Sequence, residues 1–124
     1  MRVLVVDDQR LFADALAMYL AHEDGIDVIG TAASGQEAID AALEQAADVV
    51  LMDLFMPRMD GLEATKRLRS IRPETHVIVL SGLADEVIEE QARAAGADGY
   101  LTKGRVHEQI AEAIRAVNQG RPIA

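Results

Sequence analysis

Two stretches of this chain are apolar without alternation and end in carboxylates. Val3-Leu4-Val5-Val6 runs into Asp7-Asp8, and Val49-Val50-Leu51-Met52 runs into Asp53, followed by Leu54-Phe55-Met56-Pro57. A short unalternating apolar run reads as a strand buried on both faces, the situation of a parallel sheet covered by helices on each side. If the two strands are parallel, their acids arrive at one shared edge. A carboxylate is costly to hold there without compensation, so the other residues reaching that edge decide what the chain can do.

Between and after these runs the pattern alternates between helix and strand. Gln9 to His22 carries Phe12, Leu16, Tyr19 and Leu20 on one helical stripe, and Asp24-Gly25 supplies a stop. Asp27 to Ala32 is a weaker strand. Ser34-Gly35-Gln36-Glu37 has the form of a capping box, in which the hydroxyl and the carboxylate each satisfy a free backbone N–H. The helix behind it, running to about Gln45, buries Ala38, Ile39, Ala42 and Leu43. After Asp53 and the Pro57 turn, Asp60-Gly61-Leu62-Glu63 opens a third helix with Leu62, Leu68 and Ile71 inward, and that helix must end before Pro73. His76 to Leu80 is a fourth strand ending in Ser81-Gly82. Asp85 to Ala95 is a short helix closed by Gly96, Gly99 to Thr102 a fifth strand ending at Lys103, and Arg105 to Gln119 a last helix with Val106, Ile110, Ala113, Ile114 and Val117 as its stripe.

Strict alternation of strand and helix predicts an α/β fold, a doubly wound parallel sheet with right-handed crossovers. At 124 residues the chain is one domain with a radius of gyration of roughly 14 Å. Half its residues are hydrophobic and 3% aromatic, so the core is aliphatic. A net charge of −9, from 12 basic and 21 acidic residues, argues against the chain tracking a phosphate backbone by itself. There is no cysteine, hence no disulfide framework or thiolate metal site. No signal peptide precedes the first strand and no run reaches membrane-spanning length, so the expectation is a cytoplasmic protein.

In doubly wound sheets ligands bind outside the carboxyl ends of the strands. The residues at those ends are Asp7, Asp8, Asp53, Ser81 and Lys103. Three converging carboxylates repel one another, so either one is protonated or a cation sits among them. All-oxygen donors favour a hard ion, and two or three protein oxygens completed by water suit Mg²⁺. Asp8 and Asp53 are the expected direct ligands, with Asp7 acting through water. Taken singly, each acid is equally well a helix cap or a solvated loop residue, Ser81 a turn residue and Lys103 a surface lysine. Jointly, a hydroxyl and an ammonium facing a metal-bound carboxylate are what holding a phosphoryl group on that carboxylate requires.

These residues, with Met52-Asp53-Leu54-Phe55-Met56-Pro57-Arg58-Met59-Asp60-Gly61 and Gly99-Tyr100-Leu101-Thr102-Lys103, resemble the receiver domain of two-component response regulators over nearly the whole chain. The resemblance implies a flavodoxin-like (βα)5 fold with strand order 2-1-3-4-5. It implies that Asp53 accepts a phosphoryl group from a sensor histidine kinase, and that Mg²⁺ is bound by Asp8, Asp53 and the backbone carbonyl of Phe55. Lys103 and Ser81 then contact the phosphoryl oxygens, and Ser81 and Tyr100 act as the switch that alters the fourth helix, fifth strand and fifth helix. No catalytic turnover is implied beyond self-phosphorylation and slow autodephosphorylation. Kinase docking is expected on the first helix near Gln9, Arg10 and Ala13, and phosphorylation can promote a homodimer.

The phrasing from Met56 to Thr65 and the closing Gly120-Arg121-Pro122 are similar to the NarL/FixJ class, whose receivers precede a helix-turn-helix domain. That similarity implies a receiver over 1–119 and the start of a linker at 120–124, with transcriptional regulation through a DNA-binding output domain outside this chain. The alternative is a stand-alone receiver or protein-interaction module. Two departures stand out: Gly104 follows Lys103 where proline is common, and Phe55 and Leu83 are bulky where they would hinder an attacking water. Flavin binding would need a Ser/Thr/Gly-rich loop where Asp7-Asp8-Gln9-Arg10 stands. A haloacid dehalogenase-type phosphatase would need a second acid at Gln9.

Overall fold

The computed structural model describes residues 1–56, 59–121 and 123. Pro57 and Arg58 of the expected turn, and Pro122 of the expected linker, lie outside the described residues. Strands β1 (Arg2–Val6), β2 (Asp27–Ala32), β3 (Val49–Asp53), β4 (His76–Ser81) and β5 (Gly99–Thr102) alternate with helices α1 (Arg10–Ala21), α2 (Gly35–Gln45), α3 (Gly61–Ile71), α4 (Glu86–Ala94) and α5 (Val106–Asn118). A 3₁₀ turn over Lys103–Arg105 leads into α5. All pairings are parallel and the order is β2-β1-β3-β4-β5, the doubly wound arrangement the alternation predicts.

The period of two along each strand divides the core into two layers. Leu4, Val6, Val50, Met52, Val77 and Val79 pack under α2, α3 and α4. Val3, Val5, Val49, Leu51, Ile78 and Leu80 pack under α1 and α5. Every residue of β3 is buried, Asp53 included, which is why its sequence shows no alternation.

Local chemistry fixes the helix starts. The Ser34 hydroxyl accepts from the Glu37 N–H at 3.2 Å, while the Glu37 carboxylate accepts from Ala33 N–H, one residue before the cap. Asp60 accepts from Glu63 N–H at 2.9 Å, and Asp85 from Val87 and Ile88 N–H at 2.8 and 3.2 Å. Gly61 is required by close approach, since a Cβ there would lie 2.1 Å from the Asp53 carbonyl oxygen. The start of α3 is thereby seated directly on the end of β3, with Gly61 N–H donating to the Leu54 carbonyl at 2.8 Å.

At the sheet's β5 edge the chain leaving α5 turns back. Arg121 N–H donates to the Ala116 carbonyl at 2.8 Å, its guanidinium lies 3.6 Å from Glu112, and Ile123 packs onto the core layer beneath α5. The tip of Ile123 lies over Gly99, 2.2 Å from where a Cβ would stand.

Four helix positions differ from the sequence reading. Leu43 and Ile71 are 41% and 57% exposed, because they fall at the edge of their helices' buried stripes rather than at the centre. Tyr19 lies partly outside, its ring edge-on to His107 and its hydroxyl donating to the His107 carbonyl. Ala13, expected on an exposed docking face, is buried against the sheet because it shares the stripe of Leu16 and Leu20. Gln9 and Arg10 are exposed as expected, and the outer face of α1 continues through Leu11, Asp14, Ala15 and Met18.

Candidate functional site

Asp7 and Asp53 continue the side-chain parity of Val3/Val5 and Val49/Leu51, so both fall on the α1/α5 side of the sheet's carboxyl end. Both are buried, 2% and 4% exposed, whereas Asp8, one residue on, is exposed to solvent. Lys103 reaches in from the end of β5 and places its ammonium 2.7 Å from Asp7 Oδ2 and 3.0 Å from Asp53 Oδ1. The ring of Phe12, from the first turn of α1, covers that ammonium at 4.7 Å to its centroid. Asp7 Oδ1 is occupied differently, accepting from Gln9 N–H at 2.8 Å.

The electrostatics follow from this geometry. Burial pushes the Asp53 carboxyl up to about 6; the Lys103 hydrogen bond opposes the rise, and the charges of Asp7 and Asp8 reinforce it. For Lys103, burial works against the charged form, but hydrogen bonds to Asp7 and Asp53, with their charges, outweigh it and hold the ammonium's pKa above its usual value. The site therefore carries more negative charge than one lysine can balance.

One carboxylate oxygen from each of Asp7, Asp8 and Asp53 lies within 4.8 Å of the others. Octahedral Mg²⁺ at about 2.1 Å from its ligands places them roughly 3 to 4.2 Å apart. An all-oxygen set of that span, half open to water through Asp8, fits a hydrated hard cation. Phe55 follows two residues after Asp53 at the same edge, its side chain 60% exposed.

Ser81 is fully buried at the end of β4 and its Oγ accepts from Leu83 N–H at 3.1 Å. The half-buried Tyr100 donates its hydroxyl to the carbonyl of the same Leu83. One peptide segment after β4 thus joins Ser81 to Tyr100. A cleft of about 550 Å³ opens beside Tyr100, lined by Asp85, Glu89, Arg93, Arg105 and Ile123 among others.

The family model for the response regulator receiver domain matches residues 3–115. The chain is a member of the response regulator receiver domain family. It is 40% identical over 121 residues to the transcriptional regulatory protein LiaR of Bacillus subtilis, covering 98% of this chain and 57% of that protein. It superposes with a TM-score of 0.91 and 32% identity on the signal receiver domain of the response regulator NarL of Mycobacterium tuberculosis, covering 97% of each chain. The CheX–CheY–BeF3–Mg²⁺ complex of Borrelia burgdorferi is a further structural relative, with a TM-score of 0.86, 26% identity, and 94% of this chain and 88% of that one covered. The chain spans 56 to 58% of the length of the curated relatives it matches. As a receiver domain it belongs to phosphorelay signal transduction.

The structure brings together Asp7, Asp8, Asp53 and Lys103 as the sequence predicts. Sequence reasoning did not assign Lys103 to Asp7 as well as Asp53, did not single out Phe12 as part of the site, and did not see that Leu83 links Ser81 to Tyr100. The parity of Val3, Val5 and Asp7 was the available clue to the first.

Proposed function

We propose that this receiver takes a phosphoryl group onto Asp53 from a sensor histidine kinase in a Mg²⁺-dependent step, and thereby switches the α4-β5-α5 face. The observation that carries this reading is the buried Asp53 carboxylate held 3.0 Å from the Lys103 ammonium and beside two further acids. Asp8, Asp53 and the Phe55 carbonyl would hold the ion directly and Asp7 would hold it through water. The exposure of Asp8, and the pairing of Asp7 with Lys103, support that division. A similar CheY held with BeF3 and Mg²⁺ supports the same ion here. When bound, Mg²⁺ neutralises charge on the transferring group.

In the transfer an Asp53 oxygen attacks phosphorus in line, and the bond to the donor's leaving group breaks with its electron pair leaving on the donor. Lys103 turns from Asp53 Oδ1 to a phosphoryl oxygen, acting as a preplaced positive charge. Ser81 accepts from Leu83 N–H and so keeps its own proton free to donate to another phosphoryl oxygen. Movement of Ser81 pulls on Leu83, whose carbonyl receives the Tyr100 hydroxyl, and Tyr100 changes rotamer with the loop. The switch is a population shift, and a near-complete one needs about 5.5 kcal/mol of differential binding.

Residues 1–119 form the receiver and 120–124 begin a linker to a DNA-binding output domain in the complete regulator, acting in the cytoplasm, with homodimerisation on phosphorylation. Incubation with Mg²⁺ and acetyl phosphate adds one phosphoryl group, located on Asp53 by peptide mass spectrometry and lost in Asp53→Ala or without metal. A protein that binds Mg²⁺ but gains no mass from acetyl phosphate or a phosphorylated kinase contradicts the reading.

A further inference from the structure

We propose that Phe12 is a positioning residue of the site: its ring face holds the Lys103 ammonium between Asp7 and Asp53 by cation–π attraction. The inference rests on the reading of Asp53 as phosphoacceptor and adds a residue to it.

An ammonium carries three N–H donors. Two of them face Asp7 Oδ2 and Asp53 Oδ1 at 2.7 and 3.0 Å, and the Phe12 ring, at 4.7 Å, covers a further side that water would otherwise take. The negative face of an aromatic ring attracts a partly desolvated cation, and Lys103 is only 18% exposed along its side chain. The backbone does little of this restraining. Lys103 begins a 3₁₀ turn that has no side-chain cap, and a Cβ on the next residue, Gly104, would meet nothing within 4 Å. A four-carbon stem on such a support has several rotamers open to it.

Phe12 itself is well anchored. It lies in the first turn of α1 beside buried Ala13 and one turn before buried Leu16, and its ring packs on the core layer under α1 and α5. The chain has only two phenylalanines, and one of them faces this cation. A ring also suits what Lys103 has to do. Its attraction reaches out to about 6 Å from the ring centroid and is not aimed along one lone pair, so the ammonium can leave Asp53 Oδ1 for a phosphoryl oxygen while staying over the ring. A hydrogen-bond acceptor in the same place would tie the ammonium to one position.

The alternative is a Phe12 that merely fills space, and Phe12→Leu against Phe12→Tyr separates the two. In the metal-free protein, NMR should show the Lys103 ε-methylene protons displaced upfield by the ring in wild type and Phe12→Tyr, and returned to ordinary values in Phe12→Leu. With Mg²⁺ and acetyl phosphate, Phe12→Leu should be phosphorylated about 3- to 10-fold more slowly and Phe12→Tyr at close to the wild-type rate, with urea midpoints recorded for each. Unshifted Lys103 protons in the wild type, a Leu variant as fast as wild type, or Leu and Tyr variants slowed equally would each overturn the proposal. A wild type that takes up no phosphoryl group contradicts the phosphoacceptor reading instead, and the Lys103 proton shifts then still decide whether the ring holds the ammonium.

Discussion

The two ends of the sheet both gather charged and polar side chains, and they treat them in opposite ways. At the amino end, before β4 and β5, Asp98 accepts from Val77 N–H at 2.9 Å and lies 3.5 Å from Arg69 and 3.4 Å from His76. Beside it the buried Thr75 hydroxyl donates to the Ala47 carbonyl at 2.7 Å and accepts from Arg72 Nε at 2.8 Å. Opposite charges face each other there, and the loops are tied to one another. At the carboxyl end three carboxylates converge, two of them buried, and a single ammonium pairs with the buried two. A matched network stabilises the fold, whereas a surplus of one sign is a standing demand for an incoming cation.

The contrast breaks most visibly at Lys103. Lys103→Ala should slow phosphorylation from acetyl phosphate by 100-fold or more, as for loss of a preplaced oxyanion partner. It should also destabilise the metal-free protein by about 3 kcal/mol, because Asp7 and Asp53 are left buried without a counter-charge, and saturating Mg²⁺ should restore much of that loss. Rate by mass spectrometry and stability by urea unfolding check the two halves.

At the opposite end the same kind of change should separate stability from chemistry. Asp98→Ala strands Val77 N–H and removes the acid beside Arg69 and His76, so unfolding should become easier by about 2 to 3 kcal/mol, with the rate of Asp53 phosphorylation unchanged. A variant slowed in phosphorylation would show that the two ends are coupled.

Acidity sharpens the comparison further. With its carboxyl at about 6 in the native protein against 3.8 when unfolded, Asp53 binds more proton in the folded state between those values. Metal-free stability should therefore fall as pH rises from about 4 to 6, by at most about 3 kcal/mol, and level off above. Subtracting the same urea series for Asp53→Ala isolates this part, and a difference that is flat or rises with pH contradicts the sign. The smallest effect expected is at Phe55. Phe55→Asn should speed autodephosphorylation a few-fold by opening the path of the attacking water, measured by loss of the phosphorylated mass with time.

The fold was legible because β1, β3 and β4 are short apolar runs and three of the five described helices start on a side-chain cap: Ser34, Asp60 and Asp85 each accept a backbone N–H of the first turn. The strand-end acids were legible for the same reason, since an acid closing a fully buried strand has one place to go. What remained hidden depends on neighbours distant in sequence. Nothing local distinguishes a Phe12 that packs on a leucine from one that faces an ammonium 91 residues away. Helix stripes also blur at their margins, which is how Leu43 and Ile71 read as inward and stand exposed; Ala13, put on the docking face by resemblance, belongs to the stripe of Leu16 and Leu20 and is buried.

One consequence lies at Gly99, whose missing side chain leaves the space that the tip of Ile123 occupies. The residue after it in β5 is Tyr100, held to the Leu83 carbonyl. The exit path of the chain and the strand bearing the tyrosine are thus in direct mechanical contact, like a cord passed over a pulley at the sheet's edge. A change that moves Ile123 would therefore be felt first by the neighbour of Tyr100 in β5.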